Sequence, residues 1–232
     1  MNIKHALFAI PMLAAPALSQ AATVDVTITN LTQGIYFTPI LVTAHSGDTH
    51  LFQVGQAASP ELQMMAEGGD ISGLVGIADS ISAVSAQNPA GGLLAPTEYT
   101  MMTDWDTGTN NQLSITTMLL PTNDGFVGLD AWDIPTEAGT YTIYLNGYDA
   151  GTEANDEIVN GGGMSGVPGI PANPGMNGGM NATGVINTEV NSMIHIHPGN
   201  VGDSDADGGV SDLDSRIHRW LNPVAKVVVT VK

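Results

Sequence analysis

LLPTNDGFVGLDAWDIPTEAGTYTIYLNGYDAGTEANDE, Leu119 to Glu157, holds two acidic loops on either side of the clearest strand in the chain. The loops are Asn123-Asp124-Gly125 and Asp149-Ala150-Gly151-Thr152-Glu153. Between them, Thr140 to Asn146 places Tyr141, Ile143 and Leu145 on one face and Thr142 and Tyr144 on the other. That period of two is the pattern of a half-buried β-strand. A strand this regular fixes where its ends point, so a neighbouring strand that starts near Asp124 brings a second carboxylate to the end where Asp149 sits. Crowded carboxylates are unfavourable unless a cation stands among them, and oxygen-only clusters suit Ca²⁺, which accepts six to eight oxygens.

Composition sharpens this argument. The 232 residues include 23 acidic and 5 basic side chains and no cysteine. The basic residues are Lys4, Arg216, Arg219, Lys226 and Lys232, so every carboxylate lies in a segment, 23–215, that contains neither Lys nor Arg. These charges must be dispersed on the surface, screened by salt or matched by metal ions. Nucleic acid and anionic membrane surfaces are poor partners for such a chain, because both attract basic patches. Without cysteine there is no disulfide framework, and stability rests on core packing.

Residues 1–22 read as a secretory signal peptide, with Lys4 ahead of the apolar run Ala6–Leu18 and small residues near Ala21. The expected product is a secreted or periplasmic protein comprising one domain, 23–232, with no membrane span. Within it, Val24–Thr29 alternates as a first strand, and Ile35–Ala44 reads as a strand buried on both faces with a disturbance at Pro39. His50–Val54 is expected to be extended. Ser59-Pro60-Glu61 starts a short helix that Gly68-Gly69 ends. A second helix is predicted within Asp70–Gln87, where Ile71, Leu74, Ile77, Ile81 and Val84 recur every three or four residues. Tyr99–Met102 and Gln112–Leu120 read as strands, Thr103–Asn111 as a polar loop, and Pro223–Lys232 as a closing central strand. Residues 160–184 are so rich in Gly, Pro, Asn and Met that they predict a flexible insert able to bury no core. Some seven or eight strands with one or two short helices predict a mainly β fold, an antiparallel β-sandwich. No nucleophile-elbow, metalloprotease or phosphate-loop signature occurs, so no enzymatic role is expected.

Two further constellations bear on metals. Asp203-Ser-Asp205-Ala-Asp207-Gly208, followed by Asp214, fits the spacing of a twelve-position calcium loop, with Ser215–Leu221 as its exiting helix; the alternative is an acidic surface loop. His195-Ile196-His197 places two imidazoles on one face of a strand, about 7 Å apart, with Met193 beside them and Ile194 and Ile196 opposite. With His45, His50 or a carboxylate as a third ligand, the pair would suit Cu²⁺ or Zn²⁺.

PTNDGFVGLDAWDIP (121–135) followed by YLNGYDAGTE (144–153) resembles the paired signature of the spondin N-terminal domain family in its bacterial, secreted form. ITNLTQGIYFTPILVTAH (28–45), HLFQVGQAASPELQMMAEGGD (50–70) and WLNPVAKVVVTV (220–231) extend the likeness. The resemblance implies a C2-like sandwich with a calcium site at one end and, in animal members, a role in matrix or cell adhesion. Its three acidic ligands fall on Asp124, Asp149 and Glu153, the last standing where the family carries aspartate. Gly125 replaces the animal members' tryptophan, and their cysteines are missing. The expected function is a secreted calcium-binding module with an extracellular protein or matrix partner; the alternative is a copper- or zinc-binding protein using the histidine pair. In a competing reading of the three acids they only cap loops through backbone hydrogen bonds.

Overall fold

The structure, a computed structural model, describes residues 22–185 and 191–232. The predicted signal peptide therefore lies outside the described residues, save its last position. The elements are β1 (Thr23–Asn30), β2 (Tyr36–Phe37), β3 (Leu41–His45), α1 (Pro60–Gly68), α2 (Ser72–Ser80), β4 (Val84–Gln87), β5 (Tyr99–Asp106), β6 (Gln112–Leu120), β7 (Gly125–Asp133), β8 (Gly139–Asp149), β9 (His195–Ile196) and β10 (Ala225–Val231). Every ladder between them is antiparallel, in the order β4-β3-β6-β7-β8-β10-β1-β5, with β2 on β6 and β9 on β8. No helix among the described residues is long and apolar enough to cross a membrane.

The predicted strand of the central stretch is the hinge of this mainly β, sandwich-like fold. Residues Gly139–Leu145 of β8 pair with β10, while Asn146–Asp149 pair with Gly125–Gly128 of β7. One strand thus belongs to both halves and carries its C-terminal end to the turn between β6 and β7. In the β5-β1-β10 half, β1 and β10 alternate: Val24, Val26, Ile28, Val227, Val229 and Val231 point inward. They meet Leu113, Ile115 and Leu119 of β6, Val127 of β7 and Phe37 in the main core. The other half is buried on both faces, so β6 is nearly continuously buried. Its second face packs Leu41, Met118, Leu120 and Phe126 against Leu62, Met65 and Ala66 of α1 and Leu74 of α2.

Several expectations change. Residues 35–44 form two short strands rather than one, because Pro39 cannot donate to the ladder. Across the gap the side chain of Thr38 accepts from Met118 N at 3.2 Å in place of a backbone partner. His50–Val54 is not a strand; Leu51 and Phe52 are core residues, the Phe52 ring meeting Phe126 edge-on at 5.1 Å. The second helix stops at Ser80, and Val84–Gln87 pairs along β3 instead. β5 runs on to Asp106 through a bulged pairing with β1, where a polar loop was expected. Residues 160–184 carry no helix or strand, yet Ile170 is fully buried in the second core, contrary to the prediction that this composition buries nothing.

Candidate metal centre

The turn from β6 into β7 is closed by Thr122, whose hydroxyl donates to Leu119 O at 2.6 Å and accepts from Gly125 N at 2.9 Å. Gly125 is required there, since a Cβ would lie 2.7 Å from Thr122 Oγ1 and 3.2 Å from the His197 ring. Gly125 pairs with Asp149 of β8, and Asp149 pairs in turn with His195 of β9. This register brings Asp124, Asp149 and the histidine segment to one end of the sheet.

Asp124 and Asp149 are both 0 % exposed. Asp124 Oδ2 accepts from Thr152 N (2.8 Å), Thr152 Oγ1 (3.2 Å) and Glu153 N (3.1 Å). Asp149 Oδ1 accepts from Gly151 N at 2.8 Å, and Oδ2 from Asn155 Nδ2 at 2.6 Å. Asp124 Oδ1 is buried with no hydrogen-bond partner. Burial, and then the neighbouring Asp149 charge, push the Asp124 carboxyl up to about 7 despite its three donors.

Glu153 departs from the predicted triad. Its backbone N–H caps Asp124, but its carboxylate is turned toward Asn123 and Gly169: Oε1 accepts from Asn123 Nδ2 at 2.9 Å and from Gly169 N, while Oε2 is buried without a partner. It lines a cavity of about 210 Å³ with Glu67, Asp156, Thr152 and Pro168. Burial, and to a lesser degree the charges of Glu67 and Asp156, raise its pKa. Asp124 and Asp149 are therefore close enough for the charge of one to act on the other, while Glu153 joins them through its backbone. Among the described residues no three His, Asp or Glu side chains are grouped so as to hold a metal ion.

The histidines divide between two places. His195 Nδ1 stands 3.9 Å from Asp149 Oδ1, and His197 Nε2 stands 4.0 Å from Asp149 Oδ2. Both imidazoles thus approach one carboxylate, but from a β9 of two residues rather than a long strand, with Ile194 buried and Ile196 half exposed. His195 Nδ1 donates to Met193 O at 2.8 Å, since a carbonyl only accepts. His45 lies beyond the other end of β7, opposite Gln112, which pairs with Asp133. The eight steps along β7 span about 26 Å, so His45 cannot join the pair. His45 Nε2 contacts Ser114 Oγ at 2.8 Å, and both residues are sealed in the interior; His50 contacts Asp130 at 2.8 Å.

The 203–214 loop spends its carboxylates locally. Asp203 accepts from the backbone of Asp205, Val210 and Ser211, Asp205 from Asp207 N, and Asp207 from Asn181. Asp214 grips Arg216 through both oxygens, which holds its carboxyl down at about 2. The predicted exiting helix is a run of turns.

Sequence reasoning missed Thr152, Asn155 and Asn123, the groups that position the acids; Asn123 also accepts from Glu157 N at 3.1 Å. The Thr beside Gly151 and the Asn beside Asp124 were the available signals, both being side chains that cap turns. A search of curated proteins finds no match to this chain. The spondin N-terminal domain model, Spondin_N, matches residues 29–158, more than half of the 232 residues, from the end of β1 through the loop that follows β8. With its β8 hinge, its acidic turn at 124 and the matching stretch ending just past Glu157, the chain belongs to the spondin N-terminal domain family.

Proposed function

We propose that this chain is a secreted binding module whose loop end is organised by one calcium ion at Asp124 and Asp149, with an extracellular protein or matrix component as its partner. The supporting observation is Asp124 Oδ1, buried without a donor beside a second buried carboxylate, in a segment, 23–215, that contains no Lys or Arg. Burying a carboxylate oxygen without a donor is unfavourable, and a hard divalent cation removes the conflict. Glu153 contributes through its backbone cap on Asp124. The copper or zinc reading draws less support, because His45 lies at the far end of β7 and because His197 Nδ1 accepts from Gly199 N, which leaves the proton on the Nε2 that faces Asp149.

Thermal melting tests the reading. Calcium at a hundredfold excess over its dissociation constant adds about 2.7 kcal/mol to stability, which for a chain of this size raises Tm by several degrees. Asp124→Asn combined with Asp149→Asn should abolish that rise. A wild-type protein indifferent to millimolar calcium would remove the proposal.

A further inference from the structure

The half-sheet β8-β10-β1-β5 buries its inner face in the main core and presents its outer face to solvent. Register lines the outward side chains up across the strands. Tyr99 pairs with Thr29, Thr29 with Lys226 and Lys226 with Tyr144, which makes one row. Met101, Thr27, Val228 and Thr142 make the next, two residues along each strand. Tyr99 and Tyr144 are 64 % and 61 % exposed and stand three strand spacings apart, about 14 Å. Among the described residues neither ring has a ring partner, and the hydroxyls of Thr27, Thr29 and Thr142 make no hydrogen bond within the protein.

Charge sets this face apart. The chain carries an excess of 18 negative charges, yet neither row holds a carboxylate. Lys226, inside the first row, has no ion pair among the described residues, whereas Lys232 is held by Asp25 and Asp104 at 2.7 and 2.6 Å. Carboxylates elsewhere on the surface lose their reach over about 8 Å at physiological salt, so the Lys226 charge is left for a ligand to meet. The face is also open at both sides. β5 ends the sheet, and the part of β8 that carries Thr142 and Tyr144 has a ladder partner, β10, on one edge only. A site without end walls suits a polymer.

Aromatic faces carry negative charge density that attracts the polarised C–H groups of a sugar ring. Threonine hydroxyls donate and accept toward sugar hydroxyls, and an ammonium group takes a carboxylate in a charge-assisted hydrogen bond. We propose that this face binds an extended polysaccharide whose sugars carry carboxylates at intervals, the two tyrosines stacking on sugar rings and Lys226 meeting a carboxylate between them. A protein partner fits less well, since such interfaces centre on a desolvated cluster of aromatic or apolar anchors, and here the rings stand apart with hydroxyls between them. The inference rests on the binding-module reading above, for which it supplies the chemistry of the partner, and it needs no calcium.

Calorimetric titration with hyaluronan oligosaccharides, which alternate a uronate with a neutral amino sugar, tests it in buffer containing EDTA, with chitin oligosaccharides as the uncharged comparison. The wild type, Tyr99→Ala, Tyr144→Ala and Lys226→Gln are compared, each confirmed folded by circular dichroism. Hyaluronan should bind the wild type, and each tyrosine variant should bind it about 5–30-fold more weakly, the loss expected of an interface anchor. Lys226→Gln should lower hyaluronan binding to the level of chitin, and added NaCl should weaken the wild type but not this variant. Hyaluronan that fails to bind the wild type, or binds Lys226→Gln as tightly, would overturn the proposal. So would a wild-type dimer in sedimentation velocity that the Tyr99→Ala/Tyr144→Ala variant dissolves, because a second copy would then cover the face. The calcium-induced rise in Tm is read on the same proteins: its presence beside a failed titration overturns this inference alone, and its absence beside hyaluronan binding overturns the calcium site alone.

Discussion

At the scale of single residues, this chain treats its buried acids as acceptors for backbone N–H groups. Glu157, φ +58 and nearly buried, accepts from Val201 N at 2.6 Å, Gly202 N at 2.8 Å and the Ser211 hydroxyl. Asp212 accepts from Val159 N and Ala182 N, and Glu67 from Gly166 N. Asp124, like Glu153, has one buried oxygen for which no N–H is at hand. The histidines supply a pH prediction. Burial pushes His45, His197 and His218 down. Unfolded, each binds a proton near pH 6.5; folded, they resist it, His197 down to about 3. The unfolded chain therefore binds more protons in this window, and the stability these residues contribute is present above about pH 6.5 and lost as pH falls. Asp124 works oppositely in calcium-free protein: its folded pKa of about 7 exceeds the unfolded value of 3.8, so its contribution is present at low pH and lost as pH rises toward 7. Melting curves from pH 4 to 8 without calcium should show a shallower acid-side fall in His218→Gln than in wild type, and a shallower fall toward neutral pH in Asp124→Asn. Parallel curves would contradict this assignment.

At the scale of elements, what was legible in the sequence was local. Ser59, Pro60 and Gly69 announced α1, and they perform as read: Leu62 N donates to Ser59 Oγ at 3.1 Å, and Gly69 closes the helix at φ +73. Ser59→Ala should cost about 1 kcal/mol, lowering Tm by about 2–4 °C; calorimetry finding no change would show that α1 is held by its packing alone. β1, β8 and β10 were legible because each buries one face and so keeps period two. β4 was not, because the three-and-four spacing of α2 runs on through Val84 while the strand's partner, β3, lies some forty residues upstream. The candidate site divides in the same way. Asp124 and Asp149 come close because a regular strand fixes its own end. The direction of Glu153 depends on Gly169 N, and the tautomer of His197 on Gly199 N, contacts that no spacing within the central stretch encodes.

For the whole molecule, an excess of 18 negative charges coexists with a segment, 160–184, whose glycines leave backbone N–H groups for carboxylates to use. Glu67 takes the N–H of Gly166 and Glu153 that of Gly169, Asp212 takes that of Ala182, and Ile170 seats the segment in the second core. Backbone donors thus answer part of the charge imbalance that composition alone assigned to dispersal, salt or metal. What they leave unanswered lies between the two turns at the end of β8. Native mass spectrometry of the purified protein in calcium-containing buffer, compared with the Asp124→Asn/Asp149→Asn variant, tests this directly. The account predicts one calcium ion fewer in the variant; equal calcium content in the two proteins would contradict it.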